Sequence, residues 1–179
     1  MAFEQTRLDR PLSRLELAGT VVVIGILVTI FIHKILTLMV VAEATNVDVM
    51  IRNLRAGVMA YVAVQLVKGD YAAIATLANS NPIQVMETPF AGYIGAVSSG
   101  EIAGLEAGSW AYDIDNNLLV YLVINTSDFK TVLPGPARIR IKFKLNYNDK
   151  NANGRYDEGV DLAQGVVLNI LEPYEWQIQ

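Results

Sequence analysis

The segment 149–161 holds the residues whose types and spacing are most specific for chemistry. Side chains that carry an oxygen atom stand at its first, third, fifth and ninth places, namely Asp149, Asn151, Asn153 and Asp157. Gly154 at the sixth place permits a sharp turn of the chain. This pattern matches the calcium-binding loop D-x-[DN]-x-[DN]-G, in which alternate residues point inward to the ion. The spacing therefore predicts a calcium site, to which Arg155 would contribute its backbone carbonyl oxygen.

The last place of this loop departs from the pattern. Val160 stands where a bidentate acid is expected, so Asp161 or Glu158 would have to replace it. The segment resembles the calcium loops of many bacterial surface proteins, which read D-x-N-x-N-G-x-x-D-x-G-E. Because Val160 occupies the last place and asparagines replace two aspartates, we expect low affinity, suited to extracellular calcium. The expected ligands are Asp149, Asn151, Asn153, Arg155, Asp157 and Asp161. The alternative is an Asn-Gly hairpin turn whose charges are solvated.

The rest of the composition excludes most other chemistry. The chain has no cysteine, so disulfides, thiolate zinc sites, iron–sulfur clusters and thiol nucleophiles are impossible. Its single histidine, His33, lies inside the most apolar stretch, which excludes a Ser-His-Asp triad and a site with several histidines. The net charge of -4 offers no basic footprint for nucleic acid. We therefore expect that the protein is not an enzyme, and that a bound ion would stabilise a domain that lacks disulfides.

The apolar residues are concentrated near the N-terminus. Residues 18–32 carry no charge, and a second apolar run follows at 35–42. Charged residues make up only 18% of the chain, whereas an ordinary soluble domain has about 25%. Residues 17–42 exceed the roughly 20 residues that a helix needs to cross a bilayer. This length and composition predict a transmembrane helix.

Arg7, Arg10 and Arg14 precede the apolar segment and orient it by the positive-inside rule. They predict a cytoplasmic N-terminus, with everything after about residue 42 on the far side of the membrane. Two alternatives remain. One is a cleaved signal peptide, whose nearest small-x-small cleavage site is Ala42-Glu43-Ala44, and the other is a buried helix of a soluble protein.

Residues 12–17 (LSRLEL), followed by residues 18–27 (AGTVVVIGIL), resemble the N-terminus of type IV pilins and of the pseudopilins of type II secretion. In that family a glutamate is the fifth residue after the bond that the prepilin peptidase cuts, and a glycine follows nine residues later. Glu16 and Gly25 keep this spacing. The resemblance implies a cytoplasmic leader over 1–11 and a mature chain that starts at Leu12. Pro11 stands where the family has glycine before the cut, and Leu12 where it usually has phenylalanine or methionine.

The resemblance implies a structural function. Such subunits lie in the bacterial inner membrane with a periplasmic head, and the inner-membrane assembly machinery stacks their apolar helices into a filament of homo- or hetero-oligomeric subunits. Glu16 would pair with the free amine at Leu12 of a neighbouring subunit and set the axial register. The alternative is an uncleaved, single-span protein in the lipid bilayer, whose extracytoplasmic head binds a ligand or partner without polymerising.

The implied fold class is α+β and pilin-like. A long N-terminal helix would span the membrane in its first half, over 12–42, and pack in its second half against a C-terminal antiparallel sheet. The head would comprise 43–179, with a connecting loop over 70–108 and the sheet over 109–179. The amphipathic pattern of 43–68 extends the helix to Lys68. A break near Thr45-Asn46 is the alternative.

Strand signals dominate the last third of the chain. Trp110 to Asp113 and residues 118–124 flank the turn signal Asn116-Asn117, and 165–171 forms a last strand. Residues 138–145 alternate strictly between basic and apolar side chains, which predicts that the apolar ones pack on the helix. The four apolar residues are Ile139, Ile141, Phe143 and Leu145.

The basic residues of that strand are Arg138, Arg140, Lys142 and Lys144. No aromatic side chain shares their face, so they lack the stacking platform that single-stranded nucleic acid needs. We interpret them as a solvated edge strand, where lysines discourage aggregation, or as a face that contacts another subunit.

Overall fold

The structure is a computed structural model that describes residues 13–86, 88 and 90–178. The chain is divided into two compact units, 1–39 and 40–179. Helix α1 (Arg14–Lys68) is continuous, so the predicted long helix is confirmed and no break occurs at Thr45-Asn46. Pro11 and Leu12, the residues of the predicted cleavage, lie outside the described residues.

In the first unit, α1 is exposed on every side. All residues from 13 to 36 are exposed, including Leu15 at 84% and Phe31 at 66%. An 18-residue window of this helix has a mean hydropathy of 2.5, with none of it buried. Within the described residues, α1 is thus the one helix that is long and apolar enough to cross a membrane.

In the second unit, the described residues form the end of α1, a short helix and seven strands. They are α2 (Tyr71–Leu77), β1 (Tyr93–Val97), β2 (Trp110–Asp113), β3 (Leu118–Leu122), β4 (Phe129–Thr131), β5 (Arg138–Asn148), β6 (Leu162–Ile170) and β7 (Tyr174–Trp176). Five strands form a sheet in the order β1-β2-β3-β5-β6, and β4 pairs with β7 in a separate ribbon. The α+β class is therefore confirmed.

The sheet differs from the prediction in two respects. It is mostly antiparallel, but β1 pairs with β2 in parallel, and β1 comes from the segment 70–108 that was predicted as a connecting loop. The prediction that the basic strand lies at an edge is wrong, because β5 lies between β3 and β6. Strict alternation reports which face of a strand is buried, but it carries no information about the strands on either side.

The core forms where one stripe of α1 meets the inner face of this sheet. The buried positions of the stripe recur every three or four residues, as one face of a helix requires, and its apolar members are Val40, Val47, Ile51, Leu54, Val58 and Val62. Ile139, Ile141 and Phe143 lie in the same cluster, and Leu145 packs at its margin, as the alternation predicted. Each fully buried side chain of this size contributes roughly 1.5–3 kcal/mol.

One member of the stripe carries a charge. Glu43 is only 7% exposed, and its carboxylate accepts four hydrogen bonds from the end of β3 and the turn after it. Tyr121 Oη donates at 2.9 Å and the Ile124 N–H at 2.7 Å to Oε1. The Asn125 N–H at 2.9 Å and its Nδ2 at 2.6 Å donate to Oε2. Burial and the neighbouring Glu43 carboxylate raise the pKa of Tyr121. Glu43 therefore joins α1 to β3. Among the described residues, all of its hydrogen-bond donors are neutral groups.

We expect Glu43→Gln to destabilise the second unit by about 2–3 kcal/mol, because the new amide NH2 would face N–H donors that lose their acceptor. Glu106→Gln is the matched control, since Glu106 is exposed. Urea unfolding of the full chain in detergent, followed by the fluorescence of buried Trp110, measures the difference. Equal stability of the two variants would contradict the role assigned to Glu43.

Candidate functional site

The predicted calcium loop joins β5 to β6, and the two strands hold its ends together. Asn148 pairs with Leu162 in the last register position before the loop. The chain then turns through three residues in the left-handed region, Ala152 (φ 56°), Gly154 (φ 76°) and Gly159 (φ 80°). This hairpin brings residues 149–161 into one compact loop.

The first half of the loop is wrapped around the carboxylate of Asp149. Its Oδ2 accepts the N–H of Gly154 at 2.7 Å, and its Oδ1 accepts the N–H of Asn153 at 3.2 Å. The amide oxygen of Asn151 also accepts the Asn153 N–H at 3.2 Å, and that of Asn153 accepts the Arg155 N–H at 2.8 Å. The sharp turn expected at Gly154 is thus closed by the first acid of the pattern.

Three of the predicted ligands meet at a single atom. Asp157 Oδ2 accepts Nδ2 of Asn151 at 2.7 Å and Nδ2 of Asn153 at 2.5 Å. Since Asp149 is bound to the backbone at 153 and 154, the four oxygen-bearing residues of the first nine places converge in the loop. The amide groups present their nitrogen atoms to Asp157, which is the only orientation that an ionised carboxylate accepts at these distances.

Asp161 occupies a different environment from the other acids. It is only 6% exposed, and both carboxylate oxygens accept backbone N–H groups, from Lys150 at 2.9 Å and from Asp157 at 2.8 Å. Asp161 therefore ties the last turn of the loop to its start. Glu158 and Val160, the other residues near the last place, are exposed.

The loop carries a negative field. Four carboxylates face two basic side chains within 149–161. Tyr147 and Tyr156 pack edge to face beside it, with ring centroids 5.5 Å apart. Partial burial and then the charge of Asp149 raise the pKa of Tyr147, and burial followed by the charge of Glu158 raises that of Tyr156.

The residue types of the loop fit a hard cation, whereas its two amides present nitrogen, not oxygen, to Asp157. Carboxylate and amide oxygens are the ligands that Ca²⁺ prefers in proteins, and Asp149, Asn151, Asn153 and Asp157 supply them within one turn. Among the described residues, no group of three or more His, Cys, Asp or Glu side chains is placed to hold a metal ion. Two of the predicted ligands in this loop are asparagines.

Glu16, the predicted assembly residue, lies at the first turn of α1 in a capping box. The Ser13 N–H donates to Glu16 Oε2 at 2.8 Å, and the Glu16 N–H donates to Ser13 Oγ at 3.2 Å. This reciprocal pair satisfies two backbone donors at the helix start. The pattern Ser-x-x-Glu is readable in the sequence but was missed there, because Glu16 was considered only as a charge awaiting a partner.

A cavity of about 310 Å³ lies on the sheet face that points away from α1. Its polar lining includes Asp113, which is 3% exposed and accepts Ser99 Oγ at 2.7 Å and Asn116 Nδ2 at 3.0 Å. Burial raises the pKa of Asp113, but the hydrogen bonds from Asn116, Ser99 and the backbone outweigh it, so the pKa lies below its usual value.

Two of the four basic side chains of β5 have partners within the second unit. Arg140 forms an ion pair with Glu172, and Arg138 donates to the carbonyl oxygens of Pro134 and Pro136 at 2.9 Å each. Lys142 and Lys144 are exposed. The two arginines line the cavity, and the two lysines extend the basic face beyond it.

Comparisons of the chain with protein-family models, with curated proteins and with solved structures found no match.

We expect Asp161→Asn to destabilise the second unit by about 1–3 kcal/mol even in excess chelator, because one backbone N–H of the loop would then face an amide NH2. Glu158→Gln, three residues away and exposed, removes the same charge as a control. Thermal unfolding in EDTA and in calcium separates two roles. If Asp161→Asn loses stability only in calcium, Asp161 is a metal ligand and its hydrogen bonds to the backbone do not stabilise the loop.

Proposed function

We propose that the chain is a structural subunit of a pilin-like or pseudopilin-like filament, anchored and assembled through the first half of α1. The observation that carries this proposal is the apolar surface of residues 15–39, which is exposed around the whole helix. An apolar surface of this extent is not stable in water. It requires lipid before assembly and other helices of the same kind afterwards.

The polar atoms of this segment support the same proposal. The hydroxyl groups of Thr20, Thr29 and Thr37 donate to the carbonyl oxygens four residues earlier, at 2.9, 2.9 and 3.2 Å. Side chains that bond their own helix in this way can face lipid or a neighbouring helix without leaving a donor unpaired. These three threonines are thus suited to apolar surroundings.

The carboxylate of Glu16 supports the proposed contact between subunits. Only Oε2 of its carboxylate bonds Ser13, so Oε1 remains available for a second donor. Gly19 lies on the same face one turn later, and a Cβ there would meet nothing within 4 Å. Small residues permit the close approach of a second helix. The free amine of a neighbour's Leu12 would reach Glu16 along this face and form a desolvated pair that sets the register.

The same proposal includes the location of each end of the chain and the binding of calcium. Arg7, Arg10 and Arg14 hold the N-terminus in the cytoplasm, where the prepilin peptidase would meet the bond after Pro11. The second unit would lie in the periplasm and then on the filament surface. There the loop 149–161 would bind calcium and stabilise a domain without disulfides.

We expect Glu16→Ala to leave membrane insertion intact but to abolish incorporation into filaments, because the apolar segment is unchanged while the pairing carboxylate is lost. Ser13→Ala is the control, since it removes the hydroxyl of the capping box and keeps that carboxylate. Membrane fractionation and co-assembly with wild-type subunits provide the readouts. Normal filaments from Glu16→Ala, or equal failure of both variants, would refute the assembly role.

We expect Asp149→Ala to remove the calcium-dependent part of the melting temperature of the full chain. The substitution deletes the first ligand and the acceptor of the Gly154 N–H, so stability also falls in chelator. The difference between melting temperatures with calcium and with EDTA is therefore the measured quantity. An unchanged difference in the variant would remove the metal assignment.

The second candidate function is an uncleaved, membrane-anchored protein whose head binds a ligand. The observation that favours it is the cavity of about 310 Å³ lined by Arg138 and Arg140. Mass spectrometry of the N-terminus discriminates between the two candidates. A chain that begins at Leu12 supports the filament subunit, and one that begins at Met1 supports the anchored binder.

A further inference from the structure

We propose that Lys34 of one copy of the chain forms an ion pair with Glu16 of a second copy, which is shifted along the helix axis by five turns of α1. The inference rests on the filament proposed above and names a second neighbour for the same carboxylate. An ion pair of this kind fixes the axial distance between two copies, because each charge lies at one place along its helix.

Glu16 and Lys34 lie on the same face of α1. They are 18 residues apart in one unbroken helix, and at 3.6 residues per turn this spacing is five whole turns, or about 27 Å of rise. Both side chains are exposed. The row between them contains Val23, Leu27 and Ile30, which are exposed as well. This face therefore has an acid at its start, a base at its end and apolar side chains between them.

The two charges have no opposite partner within the described part of their own chain. Neither side chain forms a salt bridge there, and each is too far from the other to pair on one helix. They are also the only Asp, Glu, Lys or Arg residues in the apolar segment 15–39. A charge in apolar surroundings is costly unless it is paired. The complementary charge that fits both residues is therefore found on a second copy of the same face.

The shift distinguishes copies in a filament from copies that lie level in a membrane. The positive-inside rule would give every copy the same orientation, and the hydrocarbon layer is about 30 Å thick. In two level copies, Glu16 would lie near one interface and Lys34 near the other, so the charges would not meet. They meet when one copy moves out of the bilayer by about 27 Å relative to the other.

A contact of this kind repeats without closing. Glu16 and Lys34 belong to different patches of the chain, and the shift along the axis prevents the contact from closing into a ring. Each copy would use Glu16 toward one neighbour and Lys34 toward another, which builds an open filament. Oε1 of Glu16 has two lone pairs, so it can also accept the amine at Leu12 of a further neighbour.

The test is cross-linking of the full chain with a carbodiimide, a reagent that joins a carboxylate to an amine in direct contact. Cells that express the chain are separated into a membrane fraction and a fraction of sheared filaments, and both are treated and analysed by mass spectrometry. We expect a cross-link between Glu16 and Lys34 in the filaments and none in the membrane fraction. Since the two residues are about 27 Å apart on one helix, every such cross-link joins two copies.

A matched variant moves the lysine without changing the charge of the segment. In Lys34→Leu/Leu36→Lys the lysine shifts by two residues, which turns it by about 200° to the opposite face of α1. We expect normal membrane insertion and a filament yield lower by about tenfold, because removal of one partner from a desolvated pair is strongly destabilising. A wild-type filament yield from this variant would overturn the pairing.

The outcomes separate this inference from the proposed function. Filaments in which Glu16 is not cross-linked to Lys34, including those in which it joins only the amine at Leu12, overturn the pairing and keep the filament. A cross-link between Glu16 and Lys34 in the membrane fraction overturns the shift of five turns, since level copies would then pair. If no filaments form, the proposed function and the pairing are both overturned.

Discussion

Helix α1 has to satisfy two kinds of surroundings without a break in its backbone, and this constraint governs the rest of the structure. Up to Met39 its apolar side chains are exposed around the full circumference. From Val40 onward only one stripe is buried, and that stripe packs on the sheet. A helix that is apolar all round requires an apolar environment, whereas an amphipathic one requires a single packed face. The change of pattern at Val40 coincides with the division between the two units.

In a domain without disulfides, buried carboxylates take part in joining distant segments. Glu43 accepts N–H groups from the turn after β3, and Asp113 accepts those of the β2–β3 turn. Asp161 accepts those of Lys150 and Asp157 within the loop 149–161. All three are under 10% exposed, at 7%, 3% and 6%. A hydrogen bond to a charged group contributes about 1.5–3 kcal/mol, roughly twice that of a neutral one. Each of these acids closes a turn or joins two elements.

The sequence predicts those elements in which a periodic pattern of apolar residues extends over many residues. The period of 43–68 gave the amphipathic part of α1, and the alternation of 138–145 gave the buried face of β5. Strands β4 and β7 have three residues each, which is too few for a period to be recognised. The interpretation of β5 as an edge strand was wrong, because strand order depends on contacts far apart in the chain. In contrast, Glu43 follows Val40 and precedes Val47 in the buried stripe, so its position alone could have indicated a buried, bonded acid.

In the candidate sites too, the sequence predicted what depends on residues close together in the chain and did not predict the orientation of individual side chains. The spacing predicted that the residues of the proposed calcium loop lie close together, since all are within one hairpin, but it could not show that the asparagines face Asp157 through nitrogen. The capping box of Ser13 and Glu16 is local, and the pattern Ser-x-x-Glu was sufficient to identify it.

The capping box and the assembly role of Glu16 are compatible, and cleavage connects them. A cut after Pro11 would create an amine at Leu12, directly before Ser13, at the positive end of the helix macrodipole. A cation there opposes the dipole by about 0.3–1 kcal/mol, and removal from water makes it far more costly. A carboxylate at the third helical position would offset both effects, for its own chain through Oε2, which accepts the Ser13 N–H, and, in the proposed filament, for a neighbouring amine through Oε1. Glu16 therefore starts the helix in an uncleaved chain, and after cleavage it would also neutralise the charge that cleavage creates.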